Sequence, residues 1–239
     1  MEEQSGIRLN KYIASCGVCS RRDADKLIEK GDVTLNGKPA EPGDRVFPGD
    51  SVKIGSKLIK PSEDKVVLAY YKPVGVTCTE RDPYADATVK ELVRYKERVT
   101  YAGRLDKDSE GLLLMSNDGD LIQAMMKGEN GHEKEYIVRV SKPINAEFVE
   151  KMSKGVYIKD LDRTTRPCKV TKVSKYTFKI VLTQGLNRQI RRMCKTLDQT
   201  VMELKRVRVL SVTLDRLKPG EYRVLSDEEV EKLWKECRN

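Results

Sequence analysis

Residues that build metal sites and membrane spans are scarce in this sequence. It has one histidine, His132, and a single Cys-x-x-Cys pair, Cys16 and Cys19, among six cysteines. A tetrahedral zinc site would lack ligands, so we attribute both cysteines to packing and expect them to be reduced. No segment approaches the roughly 18 apolar residues of a membrane span, and Met1–Gln4 is acidic where a signal peptide is basic. We therefore expect a folded, cytoplasmic protein that does not associate with membranes.

Charge, by contrast, is abundant and unevenly distributed. The chain holds 46 lysines and arginines against 37 aspartates and glutamates, a formal net charge of +9. Residues 188–208 contain seven basic and two acidic residues, so this short segment supplies +5 of that charge. A concentrated basic segment favours the phosphate backbone of a nucleic acid as the partner.

The first 60 residues have the pattern of a small, helix-rich module. Residues 9–16 carry apolar side chains at helical spacing, and Ser20 is a suitable N-cap for a second helix. Asn36-Gly37 then predicts a tight hairpin turn between short strands. Basic side chains cluster at the starts of the two helices: Arg8, Lys11, Arg21 and Arg22.

Three segments of this module resemble the RNA-binding module first named from small-subunit ribosomal protein S-four. They are Arg8–Ile13, Ser20–Asp25 and Gly31–Lys38. The resemblance covers about 50 residues. It implies that the four basic side chains at the helix starts contact RNA.

A polar, proline-led segment at residues 61–65 is typical of a linker. We assign residues 1–60 to the RNA-binding module and residues 66–239 to a second domain. There the pattern predicts strands at 67–71, 136–140, 177–183 and 206–214, and helices near 88–95, 120–126, 146–154, 187–197 and 227–235. Because the strands alternate apolar and polar residues, the predicted fold class is α+β, with a mixed, largely antiparallel sheet and flanking helices.

The predicted helix at 187–197 separates its faces sharply. Its apolar side chains and its basic side chains both recur at i, i+3 and i+4, on opposite sides. Arg191 lies at the flank of the basic stripe, about 60° from Arg188, and so is able to turn toward a neighbouring site. The apolar stripe is Ile190, Met193, Cys194 and Leu197, and the basic stripe is Arg188, Arg191, Arg192 and Lys195.

A glycine-bounded loop at Gly103–Leu112 places Arg104 two residues from Asp106. As structure, Asp106 and Asp108 would cap a helix or pair with neighbouring basic residues, with little effect on stability. As chemistry, a carboxylate held beside a guanidinium stays ionised, which suits a nucleophile or base acting on a sugar. The residues of the loop leave both interpretations open.

Residues 103–114 resemble the signature loop of the Rsu family of pseudouridine synthases, which act on ribosomal RNA. Lys72–Gly75, Lys134–Tyr136 and Gly185–Met193 match further motifs of this family, in the same order. Residues 128–136 are most similar to members that modify large-subunit ribosomal RNA. The resemblance implies isomerisation of uridine in ribosomal RNA without a cofactor or metal. The alternative is a pseudouridine synthase that has transfer RNA as an additional substrate. One active site per chain makes a monomer sufficient.

The resemblance also implies a role for individual residues. Asp106 is the essential aspartate, which either attacks the anomeric carbon or removes the 2′ proton of the ribose. Arg104 braces the gap left by the flipped base, Tyr136 stacks on the uracil, and Leu204 lies under the base. Arg191 pairs with Asp106. Arg188 and Arg192 then contact phosphate, and Asp108 shapes the loop.

Two other functions deserve comparison with this one. Lys151–Gly155 resembles the nucleotide-binding loop of class I aminoacyl-tRNA synthetases, but it ends an amphipathic helix capped by Asn145, and no His-x-Gly-His element exists. A non-catalytic ribosome-associated RNA-binding protein would have the same basic surfaces. Such a protein would be expected to lack at least one of Asp106, Tyr136 and Arg191, and all three are present.

Overall fold

The computed structural model describes residues 6–79, 86–127 and 131–238. Met1–Gln4 and Gly128–Asn130, which entered the arguments on targeting and on large-subunit RNA, lie outside the described residues. The fold divides into two compact units. The first is Met1–Lys65 with Tyr95–Val99 and Asn117–Gly119, and the second is Val66–Arg94, Thr100–Ser116 and Asp120–Asn239. The division after Lys65 coincides with the end of the proposed linker, whereas the two later segments of the first unit were not anticipated.

The first unit packs two helices against short strands. Ser20 accepts a hydrogen bond from the Asp23 amide and so caps the second helix, as predicted. Asn36 and Gly37 both have positive φ, which is the geometry of the predicted hairpin turn. The elements are β1 (Ile7–Arg8), α1 (Leu9–Ser15), α2 (Arg21–Glu29), β2 (Val33–Leu35), β3 (Lys38–Pro39), β4 (Arg45–Val46), β5 (Val52–Ile54) and β6 (Lys57–Ile59).

Buried aliphatic side chains from both helices and four of the strands form the core of this unit. Cys16 and Cys19 pack against that core and form no disulfide among the described residues, in agreement with a packing role. Arg8, Arg21 and Arg22 remain exposed and Lys11 is half-buried. The basic side chains at the helix starts are therefore presented at the surface of the unit.

The second unit is built on a nine-stranded sheet. Its main path runs β13-β14-β10-β15-β9-β7-β17, with β8 beside β9 and β16 beside β15. Among the described residues, neighbouring strands of this sheet pair in antiparallel fashion, except that β9 and β15 are parallel. The strands are β7 (Val67–Lys72), β8 (Thr100–Tyr101), β9 (Glu110–Ser116), β10 (Lys134–Val140), β13 (Lys169–Lys172), β14 (Thr177–Leu182), β15 (Val201–Val209), β16 (Val212–Thr213) and β17 (Tyr222–Val224); β11 (Tyr157–Ile158) and β12 (Arg163–Thr164) form a separate hairpin.

Helices cover parts of both faces of this sheet. One apolar cluster joins α5 and α6 to β10, β14 and β15, and a second joins α4 and α7 to β7 and β9. Leu204 belongs to the first cluster, whereas its neighbour Lys205 pairs with Glu110 of β9. Since adjacent residues of a strand point to opposite faces, the two clusters lie on opposite faces. The helices are α3 (Val89–Leu92), α4 (Gly119–Met126), α5 (Ala146–Lys154), α6 (Gln189–Thr196) and α7 (Asp227–Arg238), with a 3-10 turn at Lys159–Leu161.

The predicted fold class, α+β with a largely antiparallel sheet, is confirmed, but two predicted elements were wrong in extent. The helix expected at 88–95 is the four-residue α3, because the backbone becomes extended at Val93 after a capping box formed by Thr88 and Glu91. The strand expected at 206–214 begins at Val201 and ends at Val209, because Leu210 has a φ of 51° and turns the chain.

The synthetase-like segment has the structure of a capped helix. Asn145 accepts a hydrogen bond from the Phe148 amide at the start of α5, and Phe148 and Met152 are buried. Gly155 ends the helix with a φ of 95°, where an added Cβ would lie 2.4 Å from the Thr165 carbonyl oxygen. Lys151 and Lys154 pair with glutamates one turn earlier on the same helix. None of the described helices is long and apolar enough to cross a membrane.

Gly111 is a position where the sheet tolerates only glycine. It pairs with Arg206 on the parallel partner β15 and has a φ of 109°. An added Cβ would lie 2.2 Å from the Arg206 carbonyl oxygen and 2.7 Å from its amide nitrogen. Because both atoms belong to the backbone, β9 and β15 would have to separate.

We therefore expect Gly111→Ala to lower the free energy of unfolding by about 3 kcal/mol or more. Gly220→Ala is the matched control, since Gly220 also has a positive φ but has nothing within 4 Å of an added Cβ. Its cost is that of the backbone conformation alone, about 1 kcal/mol. Chemical denaturation of both variants measures the difference, and equal losses would contradict the close approach of the two strands.

Candidate active site

A row of paired residues crosses the centre of the large sheet. Tyr136 on β10 pairs with Arg206 on β15, Arg206 pairs with Gly111 on β9, and Gly111 pairs with Lys72 on β7. Directly paired residues share a face, so the side chains of Tyr136, Arg206 and Lys72 lie on one face. The loop that carries Asp106 enters the sheet immediately before Gly111.

The Asp106 loop is anchored at four successive residues. The Leu105 amide donates to Cys78 Sγ at 3.5 Å, and the Asp106 carbonyl accepts from the Ser109 amide at 3.1 Å. The Lys107 carbonyl accepts from the Gly75 amide at 2.7 Å, which ties the loop to the turn after Lys72. Arg191 Nη2 donates to the Asp108 carbonyl at 2.8 Å. The backbone is thus fixed while the Asp106 side chain stays 35% exposed.

Lys72 is a fully buried cation at the base of this loop. Its Nζ donates to the carbonyl oxygens of Pro73 at 2.7 Å and Val76 at 2.8 Å, which holds the turn that anchors the loop. Burial lowers the pKa of Lys72 from 10.5 to about 8, although nearby groups, including the Asp106 and Asp108 carboxylates, act in the opposite direction. At neutral pH the loop therefore lies beside a buried positive charge.

Arg206 is a second buried cation on the same face of the sheet. Its Nε donates to the Leu112 carbonyl at 2.7 Å, and its Nη2 is buried without a hydrogen-bond partner in the described ranges. Lys134, at the start of β10, is half-buried, and burial followed by the charge of Arg206 lowers its pKa. Neither Lys72 nor Arg206 was predicted from the sequence to be a site residue. A lysine that ends an otherwise apolar strand is the signal by which Lys72 is recognisable.

Arg188 lies directly against the two aspartates of the loop. Its Nη1 and Nη2 donate to the two carboxylate oxygens of Asp108 at 3.1 and 2.8 Å, and Nη1 lies 3.7 Å from Asp106 Oδ2. These contacts raise the pKa of Arg188, and the hydrogen bonds from Arg188 hold the pKa of Asp108 below its usual range. Arg188 is the N-cap of α6, with a left-handed backbone at φ 49° and ψ 36°.

Arg191 contacts the same loop but not at Asp106. Its Nε lies 3.3 Å from Asp108 Oδ2, and Nη2 also donates to Ser109 Oγ at 3.2 Å. The expected pair of Arg191 with Asp106 is not formed among the described residues, where the ion pair of Asp106 is with Arg188. The helical spacing predicted that Arg188 belongs to the helix. Because Arg188 has a left-handed backbone, the helix instead begins one residue later.

The three remaining side chains predicted to contact the substrate differ in exposure. Tyr136 is half-buried and packs against the cluster under α5 and α6, while Leu204 is buried within that cluster. Arg104 is exposed and has no hydrogen-bond partner among the described residues. On α6, Arg192 is held by Asp160 and by Asn187, so its guanidinium is already occupied.

The buried lysine has a consequence for stability at alkaline pH. Between about pH 8 and 10.5 the unfolded chain keeps a proton on this residue that the folded protein has lost. The contribution of Lys72 to the free energy of unfolding therefore rises with pH across this window. We expect the stability of the wild type relative to Lys72→Met to increase between pH 7.5 and pH 10 in denaturation experiments. A constant difference would contradict a depressed pKa.

Comparisons with known proteins agree with this geometry. A family model described as RNA pseudouridylate synthase matches residues 66–196, and the S4 domain matches residues 7–52. The dual-specificity RNA pseudouridine synthase RluF of Escherichia coli (strain K12) is 48% identical over 241 residues, which span 100% of this chain and 82% of that protein. An uncharacterized RNA pseudouridine synthase of Aquifex aeolicus is 35% identical and covers 95% of this chain and 96% of its own length.

A solved structure supports the same assignment. The crystal structure of a pseudouridylate synthase superposes with a TM-score of 0.71 at 28% identity, over 95% of this chain and 99% of that one. The family models, the relatives and the solved structure all match residues in both units of the chain. The chain belongs to the RNA pseudouridylate synthase family, with an S4 domain at its amino terminus, and is an enzyme that isomerises uridine to pseudouridine in RNA.

Proposed function

We propose that this enzyme modifies uridine in large-subunit ribosomal RNA, in the cytoplasm and as a monomer, with Asp106 as its catalytic residue. The observation that carries the proposal is the anchored loop, which holds a half-exposed carboxylate beside Arg188 and above the buried Lys72. The motif at residues 128–136 supports ribosomal RNA as the substrate, and the similarity to the dual-specificity RNA pseudouridine synthase RluF supports an RNA substrate. All residues of the proposed site come from one chain.

The reaction requires an ionised carboxylate at the ribose. The bond from the base nitrogen to the sugar breaks, the uracil rotates, and its carbon 5 is joined to the same sugar carbon. Asp106 acts either as a nucleophile at the anomeric carbon or as a base toward the 2′ proton, and both routes need its charge. The Arg188 guanidinium lies 3.7 Å from Asp106 Oδ2, and the ammonium of Lys72 is buried beneath the loop.

The base must leave its stack before this carboxylate reaches the sugar. Arg104 is exposed and free of hydrogen bonds among the described residues, so its guanidinium is available to occupy the vacated position. Tyr136 offers an aromatic ring on the face shared with Lys72 and Arg206. Leu204 lies two residues before Arg206 on β15 and so on that same face. We assign base bracing, stacking and apolar support to these three residues respectively.

Binding of the RNA backbone is assigned to basic side chains of both units. Arg8, Arg21 and Arg22 are exposed at the starts of α1 and α2, and Lys11 lies half-buried between them in sequence. We also assign Arg188 and Arg192 to the RNA backbone. The Arg188 side chain stays 41% exposed beside Asp108, and Arg192 would exchange its partner Asp160 for a phosphate. Side chains of this kind contact phosphate and position the enzyme, without reading sequence.

Asp106→Asn should lower the rate of uridine conversion by roughly 10³-fold, because the amide removes the charge but keeps the shape. Conversion is measured in purified large-subunit ribosomal RNA, small-subunit ribosomal RNA and transfer RNA. Conversion confined to the large-subunit RNA supports the proposed substrate, and conversion of transfer RNA would support the additional substrate that a dual-specificity relative suggests.

Glu203→Gln is the control for that experiment, since it removes a carboxylate that forms an ion pair with Arg139 on β10. It should leave conversion within about twofold of the wild type. An Asp106→Asn enzyme that retains normal conversion would overturn the catalytic assignment. A wild-type enzyme without conversion would instead favour the non-catalytic RNA-binding protein.

Replacing Arg21 and Arg22 by alanine should weaken RNA binding and flatten its salt dependence. Two phosphate contacts account for a change of about 1.4 to 1.8 in the slope of log K against log salt. The paired control is Lys232→Ala with Lys235→Ala, which removes the same charge from the exposed side of α7. Affinity titrations at several salt concentrations compare the two variants. Equal slopes would exclude phosphate contacts by the first unit.

A further inference from the structure

Two carboxylates and two guanidiniums meet at the Asp106 loop, and the guanidiniums contact one carboxylate more closely than the other. Asp108 uses both carboxylate oxygens for Arg188, and one of these oxygens also lies 3.3 Å from Arg191 Nε. Asp106 has one longer contact, 3.7 Å from Arg188. The residue that is proposed to react is therefore the less occupied of the two carboxylates.

This unequal sharing matters because the fork of Arg188 fits either carboxylate. A guanidinium that pairs with a carboxylate through two parallel hydrogen bonds engages both of its oxygens. Arg188 is fixed at the start of α6 by its left-handed backbone, within reach of Asp106 and Asp108 alike. The same pairing at Asp106 would cover the oxygens that the ribose has to approach.

We propose that Asp108 is a positioning residue that holds the Arg188 guanidinium off Asp106, so that the Asp106 oxygens remain open to the ribose. The inference rests on Asp106 being the catalytic residue. Asp108 does not touch the substrate in this proposal. It acts by retaining Arg188 in a bidentate pair, 3.7 Å from Asp106 Oδ2, where the guanidinium does not cover the Asp106 oxygens.

Asp108→Asn tests the proposal without removing the other supports of the loop. The amide has nearly the same shape, and the Asp108 carbonyl that accepts from Arg191 is unchanged. The anchors at Leu105, Asp106 and Lys107 use other atoms and also remain. An amide offers one acceptor oxygen and a donor group, so it is unable to pair with both donors of Arg188. Arg188 then pairs with Asp106.

The expected result is a separation of turnover from binding. At saturating RNA, single-turnover conversion by Asp108→Asn should fall about tenfold or more. RNA affinity should be unchanged or tighter, because one negative charge is removed beside basic residues. Asp108→Asn that converts RNA at the wild-type rate would overturn the proposal.

The decisive variant combines Asp108→Asn with Arg188→Gln. If the misplaced guanidinium causes the loss, removing it should restore conversion at saturating RNA at least threefold above Asp108→Asn alone. A role of Asp108 in folding or loop shape predicts no such recovery. A double variant that is as slow as the single variant, or slower, would overturn the proposal.

Two further controls keep the outcome interpretable. Asp108→Ser with and without Arg188→Gln repeats the comparison with a smaller side chain, in case the asparagine variant folds poorly, and thermal unfolding identifies such a variant. Asp106→Asn is assayed in parallel. Conversion there at the wild-type rate refutes the catalytic assignment itself, whereas a strongly impaired Asp106→Asn without recovery in the double variant refutes only the role of Asp108.

Discussion

The parallel pairing of β9 with β15 is the contact on which the active site depends. At Gly111 the two backbones approach so closely that a Cβ has no room. This approach brings Arg206 beside the end of the Asp106 loop and sets Lys72 and Tyr136 on one face of the sheet. The loop, Tyr136 and the buried cations come from segments far apart in the chain. One pair of strands determines their common geometry.

Charge balance beneath the loop follows from the same arrangement. Lys72 and Arg206 are buried, and burial of a cation is unfavourable unless carbonyl groups or carboxylates compensate it. Lys72 receives two carbonyl contacts, and Arg206 receives one. The carboxylates of Asp106 and Asp108 act on Lys72 in the direction that favours its charged form. The acidic loop therefore offsets part of the cost of burying Lys72.

The sequence allowed the local features of this fold to be predicted, and the non-local ones only in part. The capped start of α2 and the Asn36-Gly37 turn follow from neighbouring residues, and both are confirmed. The partner of Asp106 is different, because it depends on the backbone of Arg188. Helical spacing does not reveal a left-handed residue at a helix start. The spacing therefore allowed Arg191 as the partner of Asp106, which is the pair that the family resemblance implied. The depressed pKa of Lys72 likewise requires its burial to be known.

With Asp106 as the proposed catalytic residue, the anchoring of its loop at Leu105, Lys107 and Asp108 assigns the movement in this reaction to the RNA. These three contacts would have to break if the enzyme were to carry its carboxylate toward a stacked nucleotide. The nucleotide must come to the carboxylate instead, at the cost of its own unstacking. That cost is lowest where a uridine is unpaired or mismatched. A rigid loop thus makes the deformability of the RNA a part of target selection.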